Sequence, residues 1–187
     1  SRASAASPVG SSAAFAEVVG AAGLEMVTGE GTFAASPDPK HPLGGPAPFY
    51  EVVASVVELH LDTETGQVFV DKVTHAGDVG RVIDRRRASR VDQGGNVQGL
   101  SLALSEQLVY GPGGLANGSS LDYRIATTGD VPAEMSDSFL ENGDGLGTLG
   151  LKGLGEGGIL AVGPAMCGAI LDLTGRLITE IPVTPER

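Results

Sequence analysis

Residues 52–73 read VVASVVELHLDTETGQVFVDKV, and this stretch decides the fold. Its first part, 52–61, is apolar and β-branched, whereas 67–73 alternates polar and apolar side chains. Residues 62–66 between them (DTETG) have the composition of a turn. We therefore predict a β-hairpin, because two strand-like runs joined by a short Asp- and Gly-containing segment favour antiparallel pairing.

A short helix and a long connection are predicted before the hairpin. The serine pair at 11–12 can cap a helix over 13–19, and the glycine at 20 or 23 ends it. Residues 34–48 are rich in Pro and Gly and are typical of a connection that crosses a surface or packs on a partner. We interpret 1–48 as an N-terminal arm, a short helix and this connection.

Two longer helices and a final strand are predicted after the hairpin. Apolar residues at helical spacing favour a helix over 95–109 that begins at the glycine pair 94–95. A further apolar helix covers 164–172, opened by a proline and ended by a glycine. Residues 177–181 have the pattern of a last strand. The fold class predicted from these elements is α+β.

Composition excludes several classes of function. The 187 residues carry a formal net charge of −11, which argues against nucleic acid as a partner. The single Cys167 allows neither an intrachain disulfide nor a cysteine-based metal cluster. No apolar run approaches the roughly 20 residues of a membrane span, so we expect no membrane span and a cytoplasmic location. The start at Ser1, without Met or a signal peptide, suggests a processed chain or a C-terminal piece.

The densest cluster of glycines lies at 145–158, GLGTLGLKGLGEGG, and Glu156 is its only carboxylate. Glycine lets another surface approach the backbone closely, so this run suggests a backbone shaped against something. A carboxylate held there can serve as a general base, because burial raises its pKa toward neutrality. The alternative is that Glu156 is a solvated loop residue or caps the following helix.

Two other site patterns are weaker. Residues 145–150 have the spacing of a dinucleotide fingerprint, but the polar residues before them do not form the strand that this fingerprint requires. A nucleotide-binding module is therefore the least favoured function. His75 and Asp78 form a conceivable metal pair without a third ligand nearby, and we favour a partly buried histidine beside a turn residue.

A series of motifs, in order, resembles a known family. The segments are LDTETG (61–66), DVGRVID (78–84), GGNVQGL (94–100), ALSE (103–106), DVP (130–132), GLKGLGE (150–156) and PVTPER (182–187). They resemble the C-terminal part of the molybdopterin-binding large subunit of the xanthine dehydrogenase, aldehyde oxidase and carbon monoxide dehydrogenase family, the molybdenum hydroxylases. On this resemblance, 49–187 is the C-terminal segment of a molybdenum-cofactor-binding domain that packs against a partner portion.

The resemblance implies a catalytic role for Glu156 and a cofactor contact at Gly155. Glu156 falls where the family has the glutamate that accepts a proton while oxygen derived from water attacks an electron-poor carbon. Hydride then passes to the molybdenum-molybdopterin cofactor, and electrons leave through the pterin to 2Fe-2S clusters and FAD on other subunits or domains. A lone carboxylate in a glycine loop suits a base placed against a metal cofactor.

One motif departs from the family. The family usually has a Gly-Gln pair before the glycine pair at 94–95, and its glutamine contacts the molybdopterin. Here that pair is Arg90-Val91, and Gln93 substitutes for the glutamine only if the loop shifts. The candidate cofactor contacts are therefore Val91, Gln93 and Gly155.

The chain is much shorter than a large subunit of this family. We expect it to be the C-terminal chain of a split or cleaved large subunit, which shares the cofactor with the remaining portion and works with iron–sulfur and FAD subunits. It would oxidise an aldehyde, an N-heterocycle or a related small molecule, with water as oxygen donor. The alternative is a non-catalytic structural subunit of such a complex.

Overall fold

The computed structural model describes residues 14–32, 40 and 50–186, apart from the side chain of Thr148. The chain forms two units, Ser1–Ser36 and Pro37–Arg187. In the first unit, helix α1 (Phe15–Ala21) confirms the predicted short helix. Its N-cap residue is Ala14, whereas the predicted serine cap at 11–12 lies outside the described residues. The predicted connection at 34–48 also lies outside them, apart from residue 40.

The second unit is an α+β assembly, as predicted. Its elements are β1 (Val52–Leu61), β2 (Val68–Asp78), α2 (Arg85–Leu104), β3 (Tyr110–Gly111), β4 (Gly114–Leu115), β5 (Glu134–Leu140), a 3-10 turn (Thr148–Gly150) and α3 (Gly157–Thr174). Strands β1, β2 and β5 form a sheet in that order, and β3 pairs with β4 separately. The predicted hairpin is confirmed, because β1 and β2 are antiparallel; β5 joins β2 in parallel.

The hairpin turn and the core follow from the sequence pattern. Asp62 Oδ1 accepts a hydrogen bond from the backbone N–H of Glu64 at 2.9 Å, and Gly66 adopts a positive φ of 73°. The inward-facing residues of the hairpin pack against α2 and α3. The core consists of Val57, Val73, Leu100, Ala103, Val162, Met166 and Ile170.

Helix α2 differs from its prediction at both ends. It begins at Arg85 rather than at the glycine pair 94–95, and its N-cap Asp84 accepts a hydrogen bond from the backbone N–H of Arg87 at 3.0 Å. It ends at Leu104, not at 109. Gly95 lies inside the helix at a contact with α3, because a Cβ there would lie 3.5 Å from the Cα of Gly158.

Glycine lets α2 and α3 pack with their backbones in contact. A Cβ on Gly99 would lie 2.8 Å from the carbonyl oxygen of Ile159, and one on Gly158 would lie 2.8 Å from that of Asp92. Carbonyl oxygens of a helix backbone cannot turn aside as a flexible side chain can. The crossing of α2 and α3 therefore requires glycine at both positions.

Gly99→Ala is expected to destabilise the fold by about 1–3 kcal/mol, because the new methyl group pushes α2 away from α3. Gly94→Ala is the matched control on the same helix. A Cβ at Gly94 meets nothing within 4 Å, so alanine there should stabilise the helix by about 0.5–1 kcal/mol. Thermal unfolding of the two variants should therefore shift in opposite directions, and a shift in the same direction would contradict the described crossing.

Two predictions for the C-terminal region are wrong. Helix α3 begins at Gly157, and Pro164 lies inside it rather than opening it. Residues 177–181 form no strand. Ile178 instead packs on the core from an irregular segment, and the backbone N–H of Val183 donates to the carbonyl oxygen of Ala103 at 2.7 Å. That contact ties the segment to the end of α2 and not to a sheet edge.

Helix α3 also bears on the expectation that the chain has no membrane span. Among the described helices, only this 18-residue helix is long and apolar enough to cross a membrane by length and composition. Core helices of soluble proteins meet the same criteria. Val162, Met166 and Ile170 of α3 are buried in the core, so the helix packs here as a core helix.

Candidate active site

The loop that carries Glu156 is joined to the end of β2 by backbone hydrogen bonds. The N–H of Arg81 donates to the carbonyl oxygen of Gly150 at 3.2 Å, and the N–H of Lys152 donates to that of Val79 at 3.0 Å. Gly80 lies between them with a φ of 67°, and a Cβ there would overlap the Gly150 carbonyl oxygen. Glycine at position 80 is therefore a requirement of this join.

A part-buried ion pair fixes the same loop. The ammonium group of Lys152 donates to Asp78 Oδ2 at 2.9 Å and lies 2.7 Å from Asp144 Oδ1. The side chains of Lys152 and Asp78 are only 7% and 13% exposed. The hydrogen bond that Lys152 donates to Asp78 holds the pKa of Asp78 below its ordinary value. The hydrogen bond between Lys152 and Asp144 raises the pKa of Lys152.

Two glycines of this loop are required by the loop's own backbone. A Cβ on Gly145 would overlap the carbonyl oxygen of Leu151, and one on Gly150 would overlap that of Gly143. The chain thus folds back on its own backbone, and no helix opens at the dinucleotide-like spacing, since α3 begins only at Gly157. This geometry does not form the phosphate-binding turn of a nucleotide site.

Glu156 and Gly155 both face open space. Glu156 is exposed and is the N-cap residue of α3, yet its side chain makes no capping hydrogen bond. A Cβ on Gly155 would meet nothing within 4 Å. The loop therefore presents one unpaired carboxylate beside an uncovered stretch of backbone, which another surface can approach.

The two candidate cofactor contacts on α2 have different surroundings. Val91 is 44% exposed and lines an apolar cleft of about 220 Å³ together with Leu151 and Leu154. The amide nitrogen of Gln93 donates to Asp137 Oδ1 on β5 at 2.9 Å. The structure thus brings Val91 to the loop that carries Glu156 and holds Gln93 against the sheet.

Similarity to known proteins assigns this arrangement to a family. The sequence model of the molybdopterin cofactor-binding domain matches residues 2–132. The chain belongs to the molybdopterin cofactor-binding domain family. The resemblance to the molybdenum hydroxylases is thereby confirmed.

Relatives of this molybdopterin domain include whole large subunits. The nicotine 6-hydroxylase large subunit of Paenarthrobacter nicotinovorans is 36% identical over 138 residues, which cover 72% of this chain and 16% of that protein. Aldehyde oxidase 1 of Cavia porcellus is 33% identical over 156 residues, which cover 77% of this chain and 12% of that protein. The crystal structure of quinoline 2-oxidoreductase from Pseudomonas putida 86 matches with a TM-score of 0.64 at 29% identity. The match covers 70% of this chain and 17% of the chain in that structure. The chain spans less than a fifth of the length of these relatives.

The residues of this molybdopterin domain partly fit a bound cofactor. The open face at Gly155 and the unpaired carboxylate of Glu156 leave room for a group that approaches the backbone. Val91 offers only apolar contact, because its side chain has no hydrogen-bonding atom. The cofactor's polar edge must therefore be held by groups other than the side chain at position 91.

The candidate metal pair of His75 and Asp78 does not form. His75 is fully buried on β2, whereas Asp78 pairs with Lys152. Within the described part of the chain, no group of three or more His, Cys, Asp or Glu side chains can hold a metal ion.

Sequence reasoning missed a buried polar cluster between the sheet and α2. His75 Nδ1 lies 2.8 Å from the Ser55 hydroxyl, and His75 Nε2 lies 3.4 Å from Asp92 Oδ2. Asn96, one helical turn after Asp92, is fully buried, and neither side-chain polar atom has a partner. Burial raises the pKa of Asp92. The charge of His75 lowers this pKa, and the charge of Asp137 raises it further.

Two signals in the sequence point to this cluster. The alternation of the second strand continues past its predicted end, which places His75 on the same inward face as Val73. Asp92 and Asn96 are four residues apart, and α2 begins early enough to place both on one helical face. The helix was predicted to begin at the glycine pair 94–95, so Asp92 lay outside it and its place on the same helical face as Asn96 was missed.

Proposed function

We propose that this chain completes the active site of a molybdenum hydroxylase, with Glu156 as the general base. The observation that carries the proposal is an unpaired, exposed carboxylate on a loop fixed by a part-buried ion pair. A general base must be free to accept a proton and must be held in one place. Glu156 satisfies both conditions, and it falls at the family's glutamate position in the motif 150–156.

The residues of this chain have separate tasks in that site. Glu156 accepts a proton from the attacking group, and Gly155 lets the cofactor approach the backbone. The Lys152–Asp78 pair and the join at Gly80 hold the loop in position. When bound, the molybdenum cofactor supplies the two-electron oxidation, with water as the oxygen source.

The remaining part of the site comes from a partner. We propose that this chain serves as the C-terminal part of a large subunit and shares the active site with the remaining portion of that subunit. The complex would be cytoplasmic and would contain the remaining portion of the large subunit with the molybdopterin, together with 2Fe-2S and FAD subunits. Its substrate would be an aldehyde, an N-heterocycle or a related small molecule, as the names of the relatives suggest.

A non-catalytic structural subunit is the second candidate, and Val91 favours it. A valine at the position of a cofactor-binding glutamine removes one hydrogen bond to the molybdopterin. In that case the complex would contain this chain without molybdenum.

Purification of the native complex through a tag on this chain tests the proposal. We expect a larger chain to co-purify and molybdenum to be present in proportion to this chain. Oxidation of an N-heterocycle or aldehyde in ¹⁸O-labelled water should place the label in the product. A complex that lacks molybdenum supports the structural subunit, and a lone chain with neither partner nor metal contradicts both candidates.

A further inference from the structure

Glu51, just before β1, has its carboxyl group against the loop that carries Glu156. A Cβ on Gly157 would overlap Glu51 Oε1, and one on Gly153 would lie 3.8 Å from Glu51 Oε2. A Cβ on Gly77 of β2 would lie 3.6 Å from Oε1. The Glu51 carboxyl group thus lies beside residues that precede and follow Glu156.

This carboxyl group occupies an unfavourable place for a negative charge. Its Oε1 atom is buried and has no hydrogen-bond partner. Burial, and then the charge of Asp92, raise the pKa of Glu51 above its ordinary value. A neutral carboxylic acid is much less costly to bury than a carboxylate.

Two titratable groups act near this carboxyl group. They are Asp92 of α2, whose charge acts on Glu51, and His75 of β2, whose Nε2 lies near the same Gly77 position as Glu51 Oε1. The first turn of α3 after Glu156 contributes no titratable side chain. The charge of Asp92 therefore adds to the cost of ionising Glu51.

We propose that Glu51 is a positioning residue for Glu156 and that it acts as a neutral carboxylic acid. This inference rests on the proposed function of Glu156. While protonated, Glu51 packs beneath the first turn of α3 at low cost. Loss of the proton places a second negative charge beside Asp92, and the carboxylate gains solvation only if that turn moves away. The position of Glu156 then depends on the proton of Glu51.

Hydrogen exchange in the intact complex tests the structural part. In the wild type, protection of amides 153–159, corrected for the intrinsic pH dependence of exchange, should fall as pH rises through the raised pKa of Glu51. A carboxyl group with a raised pKa stabilises the folded state at low pH, and this stabilisation is lost as pH rises through that pKa. In Glu51→Gln, which cannot ionise, protection should not change with pH. Glu58→Gln on the exposed face of β1 is the matched control and should behave as the wild type.

The pH profile of turnover tests the positioning role. In Glu51→Gln, kcat should be retained to higher pH than in the wild type, while a purely structural role would lower kcat equally at all pH values. An unchanged profile, or equal pH dependence of exchange in wild type and Glu51→Gln, overturns the proposal. Loss of protection in Glu51→Gln at every pH also overturns it, because a carboxylate would then be needed.

The outcomes separate this proposal from the function on which it rests. If Glu156→Gln abolishes turnover and Glu51→Gln leaves both profiles unchanged, the positioning role alone is wrong. A second outcome is that exchange in Glu51→Gln loses its pH dependence but Glu156→Gln retains turnover. In that case Glu51 controls the position of the loop, but Glu156 is not the catalytic base. The proposed function is then wrong, and so is the role of Glu51 in positioning a catalytic base.

Discussion

Glu156→Gln is expected to lower turnover of the intact complex by about 10²–10⁴-fold, because an amide cannot accept the proton that a general base removes. The substitution preserves the size of the side chain, and the exposed N-cap position contributes no side-chain hydrogen bond to the fold. Molybdenum content and thermal stability should therefore be those of the wild type. Steady-state kinetics together with metal analysis on the same preparation measure both quantities.

Glu64→Gln is the matched control for this prediction. Glu64 is an exposed glutamate in the hairpin turn, remote in sequence from the loop of Glu156. Turnover of the control should equal that of the wild type. Full turnover of Glu156→Gln with stoichiometric molybdenum would show that Glu156 is not the base.

Lys152→Met is expected to lower the stability of the loop region by about 1.5–3 kcal/mol, because the part-buried Asp78 carboxylate loses its hydrogen bond from a cation and keeps only those from Gly80 and Asn142. The thioether side chain retains much of the apolar length of lysine but cannot form the 2.9 Å contact to Asp78. Hydrogen exchange over 143–158 should report the local loss, and thermal unfolding should report any global part. Turnover should fall as well, since the anchor of the loop is lost.

Lys72→Met provides the contrast for this ion pair. Lys72 lies on the exposed face of the sheet, 3.5 Å from Glu58 and 3.8 Å from Glu134, where ion pairs contribute about 0–1 kcal/mol. Adding Asp78→Asn to Lys152→Met should restore part of the stability, because no unpaired charge is then buried. If Lys152→Met and Lys72→Met have equal effects on exchange, the pair does not anchor the loop.

The effect of Lys152→Met should also depend on pH. Lys152 holds the pKa of Asp78 below its ordinary value, so the pair stabilises the folded state above the unfolded pKa of about 3.9. That stabilisation is lost as pH falls through the lowered pKa of Asp78. The difference between wild type and Lys152→Met should therefore be full near neutrality and should decrease below about pH 4.

Short-range patterns predicted the parts of the fold that depend on them. The hairpin β1–β2 follows from β-branched alternation and turn chemistry, and both act within a few residues. The glycine pair at 94–95 was misinterpreted as a helix start because local propensity disfavours glycine inside helices. In the structure, Gly95 faces α3, and the close contacts between α2 and α3 lie at Gly99 and Gly158, which are far apart in the sequence.

Only part of the candidate site could be predicted, because the rest depends on contacts between residues far apart in the sequence. Glu156 was singled out by the glycine run around it, but glycines 145 and 150 are needed for the loop to pack on itself. Glu51 was missed, because its proximity to Gly157 arises from chain segments more than one hundred residues apart. His75 was expected to be partly buried, and the packing of α2 over it, with Asp92 Oδ2 3.4 Å from His75 Nε2, makes it fully buried.

The central claim is that this chain presents Glu156 to a molybdenum cofactor held mainly by a partner. An experimental structure of the purified complex with its cofactor bound tests this most directly. The account predicts that the Glu156 carboxylate faces the molybdenum within hydrogen-bonding reach of its ligands, about 3 Å, with Gly155 beside the cofactor. A structure in which Glu156 lies far from the metal, or in which another carboxylate occupies that position, would contradict it.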